Sequence, residues 1–99
     1  MSYRVRYTRA ARDDLRRLFA FLLERDLAAA RRARAAIDKA TDVLQTFPMS
    51  CRKADAHNPF LRELIVPFGS GGYVLLFEIE ADGWVTILAA RHQREADYY

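Results

Sequence analysis

The chain of 99 residues has room for one domain around one core, and 52 % hydrophobic with 29 % charged residues argues against a disordered chain. Its apolar runs fall far short of the ~20 residues that cross a bilayer, and Met1-Ser2-Tyr3-Arg4-Val5 has no apolar core of a signal peptide behind it. The expectation is a single domain over 1–99, cytoplasmic, with no membrane partner; the lone Cys51 excludes an internal disulfide and fits a reducing compartment.

The net charge of +3 is unevenly spread. Residues 1–34 hold ten arginines against four acids, and residues 35–99 hold six basic against nine acidic residues. A basic first third attracts an acidic partner or nucleic acid. Fourteen of the sixteen basic residues are arginine, whose planar fork suits carboxylate or phosphate and tolerates partial burial; arginine-rich codon usage would give the same bias.

In chain order, Tyr3-Arg4-Val5-Arg6-Tyr7 alternates as a strand with one buried face. Thr8 then offers a helix cap, with Asp13 and Asp14 near the positive end of the helix dipole. Ala11, Leu15, Leu18, Phe19 and Leu22, extended by Leu23, form an apolar stripe that predicts a helix from about Thr8 to Glu24. Arg9, Arg12, Arg16 and Arg17 fall mostly off that stripe, and Asp13 and Arg17 sit four apart in the favourable order. Asp26 caps the next helix, whose Ala30, Ala33, Ile37, Ala40, Leu44 and Phe47 recur at a period of about 3.5; Pro48 stops it. The two stripes predict an antiparallel helical hairpin.

Residues 48–59 read as a loop rich in turn-formers. Phe60 to Val66 reads as a strand, Gly69-Ser70-Gly71-Gly72 as a turn, and Tyr73 to Glu80 as a central strand apolar on both faces. Ala81-Asp82-Gly83 signals a hairpin into a last strand, Trp84 to Ala90, and Arg91 to Tyr99 is a polar tail. The resulting fold class is α+β, in the order β-α-α-β-β-β, with the hairpin packed on a mostly antiparallel four-stranded sheet. The pattern leaves open which of the later strands the first one joins.

Four segments in this order resemble the RelE/ParE toxin superfamily. Tyr3 to Ala11 is similar to its first strand and helix entry. Leu61-Arg62-Glu63-Leu64 and Gly72-Tyr73-Val74-Leu75-Leu76-Phe77-Glu78-Ile79 are similar to its middle strands. Val85 to Ala90 running into Arg91-His92-Gln93-Arg94-Glu95 resembles the ParE branch. The resemblance implies a toxin of a type II toxin–antitoxin system, neutralised by a cognate antitoxin. ParE-like members of the superfamily poison DNA gyrase, and RelE-like members cut mRNA on the ribosome; a fold alone does not choose between them.

A metal-independent ribonuclease needs a base, an acid and cations around one phosphate. The candidates here are Arg62, Arg91, His92 and Tyr98, with Glu63 as a base, Tyr99 as a stacking group, and Arg52 and Lys53 in the preceding loop. Arg62 and Glu63 are strand neighbours, so their side chains point to opposite faces, and Glu78 and Glu80 oppose RNA. The sequence therefore favours a gyrase-binding toxin that does no chemistry, with Arg91, His92 and Arg94 as its target-binding residues. The alternatives are the ribosome-dependent endonuclease, with ribosome and mRNA as partners, and a non-toxic binding remnant. The antitoxin is expected on the arginine-rich hairpin, at Arg9, Arg12, Arg16, Ala30, Ala33, Arg34 and Ile37, as an acidic amphipathic helix. Neither a cofactor nor a metal is expected; His57 has no second ligand near it in the sequence. Trp84 reads as hairpin packing and Cys51 as a loop thiol.

Overall fold

The computed structural model describes residues 2–95 and Tyr98. It contains β1 (Arg4–Tyr7), α1 (Arg9–Leu23), α2 (Leu27–Thr46), a 3-10 turn (Pro48–Ser50), β2 (Arg52–Asp55), β3 (Asn58–Phe68), β4 (Gly71–Ile79) and β5 (Trp84–His92). The five strands form one sheet in the order β1-β5-β4-β3-β2. β3, β4 and β5 are an antiparallel meander, and β1 lies parallel to β5 with Val5 beside Val85 and Tyr7 beside Ile87. The helical hairpin is thus the crossover that carries the chain away from β1 before the meander brings β5 back beside it.

The sheet has one strand more than the sequence pattern shows. β2 lies within the expected loop and pairs antiparallel with β3, with a register irregularity between Lys53 and Asp55. All four of its residues are exposed, so it has no buried face and no alternation to read. Its turn is closed by side chains: the Asp55 carboxylate accepts from His57 N at 2.9 Å and Asn58 Oδ1 accepts from Phe60 N at 3.1 Å.

Both helices start where the capping residues say. Thr8 Oγ1 accepts from Ala11 N at 3.1 Å, and Asp26 Oδ1 accepts from Ala28 N and Ala29 N at 3.0 and 3.2 Å; each satisfies amides that the first turn leaves open. Both helices cover the same sheet face. Ala11, Leu18, Ala33, Ile37 and Leu44 pack over Leu64, Val66, Tyr73, Leu75, Phe77, Ile79, Val85, Ile87 and Ala90. A register shift between Leu76 and Phe77, where Leu76 faces Ala89 and Phe77 faces Ile87, skips Leu88 on β5. After it Ala90 and His92 point to the helix side, and Ala89 and Arg91 to the opposite, open face.

Three packing details depart from the sequence reading. Along α2 the buried positions run Ala30, Ala33, Ile37, Thr41 and Leu44, and Phe47 is 64 % exposed. A helix turning 3.6 residues at a time drifts off a 3.5 seam, so Thr41 rotates in, its hydroxyl donating to Asp38 O at 2.8 Å. Leu23 at the end of α1 is likewise exposed. Asp13 and Asp14 lie beyond the first turn of α1. Asp14 is buried and accepts the Ala90 N–H at 3.0 Å, tying α1 to β5, while Asp13 pairs with Arg16 rather than with Arg17.

Candidate functional site

The alternation of β3 sends Arg62 and Glu63 to opposite sides. Arg62, in phase with Leu64 and Val66, is buried on the helix side. Its guanidinium donates to Pro59 O at 2.7 Å, Cys51 O at 2.8 Å and Met49 O at 3.2 Å. It thereby ties the 3-10 turn and the start of β2 to the start of β3, and those carbonyls occupy the fork that a phosphate would need. Burial pushes the neighbouring Cys51 thiol above its ordinary pKa, with Arg62 pulling the other way, which keeps the sulfur protonated and a poor nucleophile.

Glu63 points to the open face, where it gathers three partners. Arg52 donates to its Oε1 at 2.9 Å, the Tyr98 hydroxyl donates to its Oε2, and Arg91 Nη2 lies 3.9 Å from the same oxygen. The side chains of Glu63 and Arg91 are each 13 % exposed. Arg91 Nη1 also donates to Glu95 O at 2.6 Å, and the Arg91 guanidinium lies 5.1 Å from the centroid of the Tyr98 ring. Arg91 Nε is buried without a hydrogen-bond partner. Burial first, and then the Glu63 carboxylate, push the Tyr98 phenol well above its ordinary pKa.

His92 is one residue on from Arg91 and faces the other way. Its ring meets Tyr73 edge-on at 5.8 Å, and its Nδ1 accepts from Arg94 N at 3.1 Å. Gly71 leaves room for the ring, since a Cβ there would come within 3.1 Å of the imidazole. Glu95 completes this corner, accepting from His92 N at 3.1 Å and pairing with Arg17 at 3.3 Å. Its burial works against ionisation, but the His92 N–H and Arg17 outweigh it and hold the carboxyl below its usual value.

Of the nuclease candidates, then, the fold brings Arg91, Tyr98 and Glu63 together, with Arg52, and keeps Arg62 and His92 on the other side of the sheet. Of the target-binding candidates, Arg91 and His92 sit back to back, and Arg94 is exposed in the turn after them. Tyr99 lies outside the described residues. Lys53 is exposed on β2.

The antitoxin-binding candidates also divide. Arg9, Arg12, Arg16 and Arg34 are exposed, whereas Ala30, Ala33 and Ile37 are buried in the chain's own core. The small residues of α2 let α1 and the sheet approach and are closed to a partner, so that part of the expected surface is corrected. The seven arginines of the two helices, and Arg25 in the connection between them, are all exposed, and Phe21, exposed beside them, stacks under Arg25 at 3.8 Å.

Two features escaped the sequence reading. A groove of about 800 Å³ runs between α1 and the β3–β4 turn, floored by Leu18, Phe21, Leu22, Phe68 and Tyr73 and edged by Arg17 and Arg94. Phe21 lies off the apolar stripe of α1, and that misfit was its only signal. At the other end of the open face, Arg4 and Arg6 clasp the Trp84 ring at 4.3 and 4.4 Å. Arg6 reaches Thr86 Oγ1 at 3.0 Å and Glu80 at 2.5 Å, so Glu80 and Trp84 hold the β1 edge to β5. Among the described residues, no three of His, Cys, Asp and Glu gather as a metal site would need, and no helix is long and apolar enough to cross a membrane.

Comparison with known proteins agrees with the architecture. Residues 5–97 match the family model of the ParE toxin of type II toxin–antitoxin system, parDE. The chain is 33 % identical over 79 residues to Toxin RelE1 of Caulobacter vibrioides, covering 80 % of this chain and 82 % of that protein. Its fold is similar to a solved chain of the chromosomal ParDE TA system from P. aeruginosa, with a TM-score of 0.69 at 19 % identity, covering 94 % of this chain and 96 % of that one. With the family match spanning nearly the whole β-α-α-β-β-β-β order, the chain belongs to the ParE toxin family of type II toxin–antitoxin systems.

Proposed function

We propose that this toxin acts in the cytoplasm by binding and poisoning DNA gyrase, and that a cognate antitoxin neutralises it. The observation that carries the reading is the division of the would-be nuclease set. Arg62 is spent on three backbone carbonyls and His92 faces the helices, while Arg91 is held by Glu63, Glu95 and Tyr98. A toxin that works by binding needs no assembled acid, base and cation. It needs an exposed surface, and Arg94 and the chain around it supply one at the end of β5. The match to the ParE model supports the same side of the superfamily.

A second reading, the ribosome-dependent mRNA endonuclease, keeps one observation in its favour: Glu63, Arg91, Arg52 and Tyr98 do meet on the open face. The two are separated by running purified toxin in a gyrase supercoiling and cleavage assay and, in parallel, in toeprinting on translating ribosomes. The gyrase reading expects trapped cleaved DNA and intact mRNA. Intact gyrase function with codon-spaced mRNA cuts transfers the assignment to the second. Normal growth on induced expression without the antitoxin leaves a non-toxic binding module.

A further inference from the structure

The exposed large apolar side chains among the described residues fall into two groups at opposite ends of the molecule. Phe21, Leu23 and Leu27 surround the tip of the helical hairpin, beside the β3–β4 turn. Val43, Phe47, Met49 and Phe60 gather at the other end. Val43 and Phe47 are four residues apart and share one side of α2. Arg62 holds the Met49 and Pro59 carbonyls together, and Phe60 borders a depression of about 480 Å³ with Tyr3, Ile79 and Asp82. Tyr3 N donates to Gln45 O at 2.6 Å, which fixes that corner to the end of α2. The 20 residues of α2 run between the two groups over about 30 Å, in a molecule 40 Å long.

Charge tells the two ends apart. Arg25, Arg31 and Arg32 stand around the tip and Asp42 and Asp82 around the other end, all exposed. Glu24 at the tip and Lys39 towards the other end run against this division. Among the described residues, none of these three arginines and two aspartates forms an ion pair. Along α2 the order of arginines first and aspartate last is the reverse of the one the helix dipole favours, so the helix's own stability does not account for it. Tip on tip would set arginine against arginine, and end on end would set aspartate against aspartate. Tip on end surrounds two apolar patches with opposite charges.

We propose that the chain associates with a second copy of itself head to tail, the hairpin tip of one copy seated on the Phe47–Met49–Phe60 end of the next. Burial of the two apolar patches drives the contact and the charges set its direction. Such a contact is heterologous, so every added copy leaves one tip and one end free, and growth continues unless a ring closes. The inference does not depend on which target the toxin acts on.

The test is sedimentation of the purified full chain over a concentration series, with two variants. One carries Leu23→Ser with Leu27→Ser, the other Phe47→Ser with Phe60→Ser. The wild type is expected to gain mass steadily with concentration. Each variant alone should self-associate at least about tenfold more weakly. An equimolar mixture should recover a complex that stops at two chains, because the intact tip of one variant meets the intact end of the other. Should a serine pair fail to fold, Arg31→Glu and Asp42→Arg take the same two places and follow the same rule on mixing. A wild type that stays monomeric throughout the series overturns the proposal. So does a variant that alone assembles as the wild type does, since one end would then pair with itself, or a mixture no heavier than its components.

Discussion

Arg62 carries more structural than chemical weight in this molecule. A buried guanidinium with three carbonyl partners has its own donors satisfied within the fold. Arg62→Ala should therefore destabilise the fold by about 2–4 kcal/mol, since three carbonyls lose their donor and the buried side chain leaves a void. Arg62→Lys should recover only part, because an ammonium has no planar fork. Urea midpoints of the two variants check this, and a wild-type midpoint for Arg62→Ala would return Arg62 to the list of functional cations. Tyr98 gives the residue scale a pH dependence. Its folded-state pKa is raised above the ordinary 10.0 by burial and by Glu63. A raised pKa means that the docked tail is fully held below pH 10 and loses hold as the pH climbs from there towards the folded value. Arg91, over the ring, favours the phenolate and softens that loss. Between pH 6 and 9 the environment of Tyr98, followed by its ring NMR signals, should stay constant; a midpoint inside that interval contradicts the contact.

At the scale of elements, the burial along α2 makes a sharp contrast. Leu44 is fully buried and Phe47, three residues on, is 64 % exposed. Leu44→Ala should cost about 2–5 kcal/mol, a transfer term plus a cavity term, while Phe47→Ser should stay within about 0.5 kcal/mol. Thermal melts of the pair decide whether the helix turns at 3.6 or follows the 3.5 seam. The same contrast explains what could be read beforehand. Thr8 and Asp26 were legible as caps because an oxygen-bearing side chain ahead of an apolar stripe has one common use. β3, β4 and β5 were legible because their apolar residues alternate or run continuously. β2 was not, since Arg52, Lys53, Ala54 and Asp55 are all exposed and their pairing rests on backbone hydrogen bonds to β3. The Asp14 tie to Ala90 N was also hidden: a carboxylate early in a helix suggests the dipole, and only the register of β5 shows the amide it serves. Of the candidate site, the separation of Arg62 from Glu63 followed from strand alternation alone. The back-to-back placement of Arg91 and His92 was not legible, because β5 runs on to His92 where a polar tail was expected from Arg91, and the company each keeps depends on the shift that skips Leu88.

On the scale of the whole molecule, charge and shape are divided between two layers. The helical layer carries eight exposed arginines and the apolar groove beside α1, while the open face of the sheet spends its cations internally, Arg6 on Glu80 and Arg52 and Arg91 on Glu63. On the hairpin Arg16 and Arg17 are ion-paired, with Asp13 and Glu95, but most of the exposed positive charge still lies there, which is where an acidic antitoxin would be steered. Charges of this exposed kind act mainly on the rate of encounter and are screened over about 8 Å at physiological salt and about 3 Å at 1 M. Arg9, Arg12 and Arg16 project from α1 and Ala30, Ala33 and Ile37 do not, so the triple change of those arginines to glutamine isolates the field without disturbing the core. It should slow association with the proposed antitoxin about tenfold at low salt and leave dissociation nearly unchanged. In 1 M salt, wild type and variant should associate at rates within about twofold of each other. Stopped-flow measurement across a salt series reads both quantities. A wild-type association rate indifferent to salt would move the contact off the arginine face and onto the apolar groove, where the accessible Phe21, Leu22 and Phe68 would carry the binding and the helix arginines would serve only to keep the hairpin solvated.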